Sequence, residues 1–455
     1  MRKVIIANPA FHCAAANNEF ERLGVCGEPP FRVCTFVFRK DSNPPPMNHD
    51  DFFESPTTPL ESITETSMLS DALAPPPASA GGKDGKDGKD IKGGKKKKKA
   101  KKDADRERLI ANYKEILDQK AVYYPVCYRF QRELGSGRQG RVFLCLRQGA
   151  RGCLTKHAIK VFDPSIYSSA AKYWTDMGRI ASQVSMLQTV RTPNLAALDT
   201  YDEVNGVGYL QMELVNGVDL RALLSLRQIM AVKSICSPAD WSLITDSVFR
   251  IKDDRVAIQP GVAIYILRMI LRGLENLHEA GFVHSDIKPS NIMVNRLGYV
   301  QIIDFGRASR PNEKSRILLG SPMYMAPETH MRKPSLHQTD MYSVGILALE
   351  LLSGRPLVSR PGIEESELLD IKMSLPDRLD SILPEYVLEN DEFTKVIRRF
   401  IEPDPKDRFP DAATAETEGE GLRMVHKQLM RIGQDTDYSR ALGYYMSRLL
   451  KLRVL

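Results

Sequence analysis

The sequence predicts an α+β fold with a β-rich first part and a larger α-helical second part. Three strand-like runs, Tyr128–Leu134, Arg141–Leu146 and His157–Phe162, come early, and long helical patterns dominate after Gly261. Strands gathered ahead of helices, rather than alternating with them, favour α+β over a doubly wound parallel sheet. The chain has 455 residues, 42% hydrophobic and 27% charged, so it can bury a large core and still carry sequence outside one domain.

The flanking sequence is of another kind. Residues 1–40 hold short apolar runs, such as Phe31–Phe38, that fit a strand but specify no fold. From 41 to 108 the chain is rich in Pro, Gly and Lys, with too little apolar surface to offset chain entropy, and is expected to be a disordered linker. Gly81 to Arg108 alone carries a net charge of +7, which is the net charge of the whole chain, so the remainder is near neutral. The run Lys95–Lys99 suits either a solvated tether or an anionic partner such as lipid, RNA or an acidic protein. Arg108 to Gln119 has helical spacing and reads as a short lead-in. Residues 421–455 are expected to form a helical extension. The seven cysteines include no C-x-x-C pair, which argues against a disulfide framework or a zinc site. No run approaches the ~18 apolar residues of a membrane helix. The N-terminal apolar run is short and broken at Pro9, so the expected location is cytoplasmic.

The chemistry concentrates in two short stretches. His284-Ser285-Asp286-Ile287-Lys288-Pro289-Ser290-Asn291 puts an acid, a lysine and an amide on one loop, and Asp304-Phe305-Gly306 follows an apolar run at Val300–Ile303. A carboxylate can take a proton from a hydroxyl, and carboxylate and amide oxygens are the hard ligands magnesium prefers. Upstream, Gly135-x-Gly137-x-x-Gly140 lies between strand-like runs, where glycines allow backbone to approach phosphates. The strand-like Val142–Leu146 after it disfavours a dinucleotide site, which wants a helix there. Lys160 follows in Ala158-Ile159-Lys160-Val161.

In order and spacing this set, over residues 128 to 420, resembles the eukaryotic-type protein kinases. The resemblance implies a bilobal fold, with a small β-rich N-lobe, a larger α-helical C-lobe and ATP between them. It implies that Gly135, Gly137 and Gly140 cover the triphosphate and that Lys160 holds its α- and β-phosphates. Val142, Ala158 and Met293 would flank adenine, with Met212 as gatekeeper. Glu213 and Val215 would offer backbone groups to the base, and Asp219 would lie near the ribose. Asp286 would take the acceptor's proton and Lys288 would neutralise the moving phosphoryl group, with Asn291 and Asp304 on Mg2+. Leu187, Leu198, His284 and Phe305 match a column linking the lobes. Asp340 matches the acid bracing the catalytic loop, and Glu328 and Arg408 match a structural ion pair. The spacing of Lys288 from Asp286, with Ser321 placed near the acceptor, resembles Ser/Thr kinases, so the expected substrate is a protein serine or threonine.

Two positions depart from the pattern. Ser285 replaces the arginine that would meet an activation-segment phosphate, which puts that mode of control in doubt. Gln183 stands where the glutamate partner of Lys160 is expected, and the nearest upstream acid, Asp176, is about 10 Å away along a helix. Gln183 is expected to accept a weaker, neutral hydrogen bond from the Lys160 ammonium, slowing transfer. These departures keep a second reading open, a pseudokinase that binds nucleotide or partners as a scaffold. The stretch from Arg227 to Ile258 is extra, and is expected to be an insertion packed on the helical lobe rather than a docking surface.

Overall fold

The computed structural model describes residues 91–122, 127–313, 321–360, 362–417, 419–431 and 437–454. The proposed strand at Phe31–Phe38 and the linker up to residue 90 lie outside the described residues. Helix α1 spans Ile91–Gln119, so helix reaches back into the segment that composition reads as unstructured. Lysine and alanine are good helix formers, which an argument from low hydrophobicity overlooks. Its C-terminal half is amphipathic: Leu109, Tyr113 and Ile116 recur at helical spacing and are buried. Arg106 adds hydrogen bonds to the carbonyls of Tyr167 (2.7 Å) and Ser165 (3.0 Å).

The first lobe is a six-stranded antiparallel sheet of β1 (Ala121–Val122), β2 (Tyr128–Gly137), β3 (Gly140–Gln148), β4 (Leu154–Phe162), β5 (Leu198–Val204) and β6 (Val207–Met212), in the order β1-β2-β3-β4-β6-β5. All three sequence-read strands are present, each one to three residues longer at an end where a ladder partner extends it. Helix α2 (Ala170–Leu187) packs against the sheet, capped by Ser169, whose side chain accepts from Lys172 N.

The second lobe begins with β7 (Gly217–Asp219), α3 (Leu220–Leu223), α4 (Leu226–Lys233), α5 (Pro238–Ser247) and the hairpin β8 (Phe249–Lys252) with β9 (Arg255–Ile258). Then come α6 (Pro260–Glu279), β10 (Ile292–Asn295), β11 (Val300–Ile302), α7 (Pro327–His330) and α8 (His337–Ser353). The chain continues through α9 (Glu365–Met373), α10 (Leu379–Ile382), α11 (Glu385–Leu388), α12 (Asp391–Phe400), α13 (Ala412–Thr417), α14 (Leu422–Arg431) and α15 (Tyr438–Val454). Helix α8 is apolar nearly all round and buried over most of its length, which makes it the centre of this lobe.

The extra stretch 227–258 forms α4, α5 and β8–β9. Ile229, Val232, Ile244 and Phe249 join the main core, and α15 lies across α4 and α5. The rings of Phe249 and Tyr445 meet edge-on at 4.8 Å, while Tyr444 and Arg448 both bond Asp240. Packing on the helical lobe is thus the structural role of this stretch. Among the described residues no helix is long and apolar enough to cross a membrane.

Candidate active site

Lys160 lies in β4 between β3 and β6, opposite Val142 on one side and Leu210 on the other, so it is no edge residue. Directly opposed residues share a face, as do residues two apart, which places Val142, Ala158, Lys160 and Met212 on one face of the sheet. That face forms a roof. Met293, on β10, pairs with Asp219 on β7 in the small sheet of the other lobe.

Gly137 and Gly140 close the β2–β3 hairpin. A side chain at Gly135 or Gly137 would meet nothing within 4 Å, whereas one at Gly140 would sit 2.0 Å from the Val161 carbonyl oxygen, at a φ of +147°. The first two glycines therefore keep space open, and the third lets β3 approach β4. Gly140→Ala is expected to destabilise the fold by on the order of 3 kcal/mol. Gly137→Ala should leave thermal unfolding unchanged and weaken nucleotide binding. Calorimetry and nucleotide titration of the two variants would check this contrast.

Below the hairpin, Lys160 Nζ is 2.6 Å from Asp304 Oδ1 and 3.3 Å from Gln139 Oε1. Gln139 reaches down from the hairpin tip, and its amide also donates to the Gly306 carbonyl at 3.3 Å. A side chain on Gly306 would meet Gln139 Oε1 at 2.5 Å and push that flexible amide aside. Asp304 holds a left-handed φ of +62°, strained for a non-glycine residue, and its Oδ1 accepts from Gly306 N at 3.3 Å. Burial pushes its carboxyl pKa up, but the Lys160 ammonium outweighs this and holds it at about 2. The Lys160 pair is therefore fully formed above the ordinary value of 3.8 and is lost only as pH falls through about 2.

The loop that carries Asp286, Lys288 and Asn291 sits beside it. The β10–β11 hairpin closes with Ile303 N donating to the Asn291 carbonyl at 2.8 Å, which sets Asn291 next to Asp304. Asn291 Nδ2 donates to Asp286 O (2.8 Å) and Oδ2 (3.0 Å), and Lys288 Nζ lies 2.7 Å from the same Oδ2. The other oxygen, Oδ1, faces Arg307 at 3.4 Å. Burial pushes the pKa of Arg307 down, only partly offset by Asp286 and Asp304. Behind the loop, buried Asp340 accepts from the backbone N–H of His284 and of Ser285, both at 2.8 Å, and from His278 Nε2 at 2.9 Å. Ser285 is held at a φ of +61° by this grip.

Leu187, Leu198, His284 and Phe305 are all buried, with the His284 and Phe305 rings edge-on at 5.7 Å. At the strand after Met212, Glu213 N–H donates to the Ala197 carbonyl at 2.8 Å, so its carbonyl is the backbone group left to offer. The Val215 carbonyl accepts from Gly217 N at 3.0 Å, leaving its N–H. Asp219 caps α3 through Oδ1, 2.7 Å from Ala222 N.

One expectation is corrected. Gln183 is buried on α2, but its amide donates to the Ala308 carbonyl, and the Lys160 ammonium is taken by Asp304 and Gln139. Arg179, one turn earlier, joins it with bonds to Gly306 O (2.9 Å) and Ala308 O (3.2 Å). Helix α2 thus holds the backbone after Asp304 rather than the lysine. A glutamate at 183 would set a carboxylate against a carbonyl oxygen. Sequence reasoning also passed over Gln139 and Arg307, which are polar residues in turns with no periodic pattern to mark them. A hollow of about 560 Å³ lined by Lys156, His157, Arg191, Asp199 and Glu213 contains none of Lys160, Asp286, Asn291 and Asp304.

Comparison with known proteins bears on this arrangement directly. Residues 128–417 match the protein kinase domain family. The chain belongs to the protein kinase family. It is 28% identical over 303 residues to the serine/threonine-protein kinase PknA of Mycobacterium tuberculosis, covering 64% of this chain and 62% of that protein. It is 28% identical to PknE of Mycobacterium bovis over 62% of this chain and 44% of the relative. A probable serine/threonine-protein kinase, pknA2 of Bifidobacterium longum, is 30% identical over 39% of this chain and 20% of its own length. The chain thus spans between a fifth and about three fifths of the length of these kinases.

Proposed function

We propose that this protein transfers the γ-phosphoryl group of ATP to serine or threonine hydroxyls of other proteins, with Mg2+ as the metal. The observation that carries the reading is the Lys160–Asp304 pair, 2.6 Å apart across 144 residues of sequence, beside the loop that holds Asp286 and Asn291. Phosphoryl transfer needs little covalent help from a protein, so catalysis is positioning and charge. Adenine fits under Val142, Ala158 and Met212 and above Met293, with the Glu213 carbonyl and the Val215 N–H as its backbone partners. Asp219 has Oδ2 free of the cap bond for a ribose hydroxyl. Gly135 and Gly137 leave room for phosphates, and Lys160 meets them.

The metal's donor set is suitable. Asn291 spends its Nδ2 on Asp286 and so has Oδ1 to offer, and Asp304 stays ionised with 40% of its side chain open. Bound Mg2+ would neutralise triphosphate charge there. Asp286 would orient the acceptor hydroxyl and take its proton, while Lys288 on the same carboxylate adds positive charge for the moving group. Lysine two residues after the acid, Ser321 near the acceptor, and the serine/threonine names of the relatives support the choice of hydroxyl.

Transfer of radiolabelled γ-phosphate to a generic basic protein tests the reading. Labelled phosphoserine or phosphothreonine is expected with wild type and none with Asp304→Ala. Wild type that binds nucleotide yet matches the silent control would leave a scaffold instead, and label on tyrosine alone would overturn the acceptor class.

A further inference from the structure

Lys372 is fully buried, with a side chain that nothing in the phosphoryl-transfer scheme uses. It lies on α9 four residues after Leu368, and these two form the buried face of that helix. A lysine at such a position needs partners, and it has three. Its Nζ lies 2.5 Å from the Pro322 carbonyl oxygen, 2.6 Å from that of Met325 and 3.0 Å from His330 Nε2. An ammonium has three N–H donors and no acceptor, so this set saturates it. His330 receives through Nε2 and therefore carries its proton on Nδ1, which faces Glu365 at 3.1 Å. Glu365 in turn meets Arg332 at 3.1 Å, so the assembly reaches the surface through an ion pair. Tyr324, in the middle of the segment, is held separately: its carbonyl accepts from Ser343 at 2.8 Å and its hydroxyl donates to Glu350 at 2.5 Å, while Glu328 just beyond is gripped by Arg408. The carbonyls on either side, of Pro322 and Met325, are the ones Lys372 takes.

We infer that Lys372 is a positioning residue that fixes the backbone of residues 321–326 as the rest for the acceptor polypeptide, and so sets protein-substrate recognition. The inference deepens the kinase reading and rests on its placing of Ser321 beside the acceptor. Two carbonyls three residues apart, drawn to one cation, hold the intervening turn in a single shape. That turn includes Met323 and Tyr324, and its N-terminal end is Ser321. Burial pushes the amine down to about 7, an expense that a helix face filled with leucine would not carry. Neither Lys160 nor Asp304 touches this assembly, so nucleotide binding should not sense it.

Lys372→Met keeps the length of the stem and removes all three donors. In transfer assays with a peptide acceptor, its KM for peptide is expected to rise at least about fivefold, with KM for ATP unchanged. A merely structural loss would lower the active fraction and leave both KM values alone. Amide hydrogen exchange reads the same device without turnover: residues 321–327 should lose protection while α6 and α8 keep theirs. Should Lys372→Met fail to fold, Glu365→Ala releases His330 from the exposed side and should move both readouts the same way, by about twofold in KM. An unchanged peptide KM, a parallel rise in KM for ATP, or unchanged exchange over 321–327 in a folded variant overturns the inference. If wild type itself transfers no phosphate, the kinase reading fails, and the exchange experiment still decides whether Lys372 holds this turn.

Discussion

Replacing Arg408 with methionine is expected to lower stability by about 3–5 kcal/mol, the usual cost of stranding one partner of a buried ion pair. Every N–H of Arg408 is engaged. Nε donates to the Glu402 carbonyl (2.6 Å), one terminal nitrogen to Glu328 Oε1 and the Gln338 carbonyl (both 2.9 Å), and the other to Glu328 Oε2 and the Pro403 carbonyl (both 2.8 Å). Arg408 and Glu328 are 2% and 3% exposed, so the stranded carboxylate would find no water. Lysine cannot substitute, since its three donors lack the planar fork. Because Glu328 also accepts from Thr339, the loss would loosen α7 against the start of α8. Denaturant melts of Arg408→Met, Glu328→Leu and the double variant would check this. The double variant should lose less than the sum of the singles, and strict additivity would contradict the pairing.

The second large effect falls on rate. Asp286→Asn is expected to lower kcat by about 10²–10⁴ with KM for ATP nearly unchanged, the usual worth of a positioned general base. The backbone of Asp286 remains tied through its N–H to His284 Nδ1 at 3.2 Å and through its carbonyl to Asn291 Nδ2, so the loop should keep its place. The side-chain amide, however, cannot accept a proton. It also brings a donor into a space framed by Lys288 and Arg307. Steady-state kinetics with nucleotide titration would separate the two parameters. A kcat within tenfold of wild type would remove Asp286 from the role assigned to it.

Much of this arrangement was legible beforehand, for a physical reason. Asp286, Lys288 and Asn291 lie on one short loop, and Asn291 and Asp304 are joined by a hairpin, so local spacing alone brings them together. Lys160 was legible because a strand pattern surrounds it. Residues whose role depends on distant packing left no such trace. Gln183 has the helix and the burial read from the sequence, yet its partner is the Ala308 carbonyl, 125 residues away, which periodicity cannot see. Lys372 reads as a solvated charge in Leu368-Leu369-Asp370-Ile371-Lys372, and only the tertiary fold brings two carbonyls to it. The start of α1 was missed because glycine and lysine in the composition signal disorder, while the helix they adjoin is anchored further on by Leu109, Tyr113 and Ile116.

The seat of α15 carries a practical consequence. Leu442, Tyr445, Met446 and Leu449 are wholly or nearly hidden, and they lie against an insertion that contributes Ile229, Val232, Ile244 and Phe249 to the same oily mass. Cutting the chain where α13 ends would strip away that cover and leave greasy surface facing water, an invitation to self-association. A fragment meant to keep this domain soluble therefore has to run through α15, well past the end of the residues that match the family.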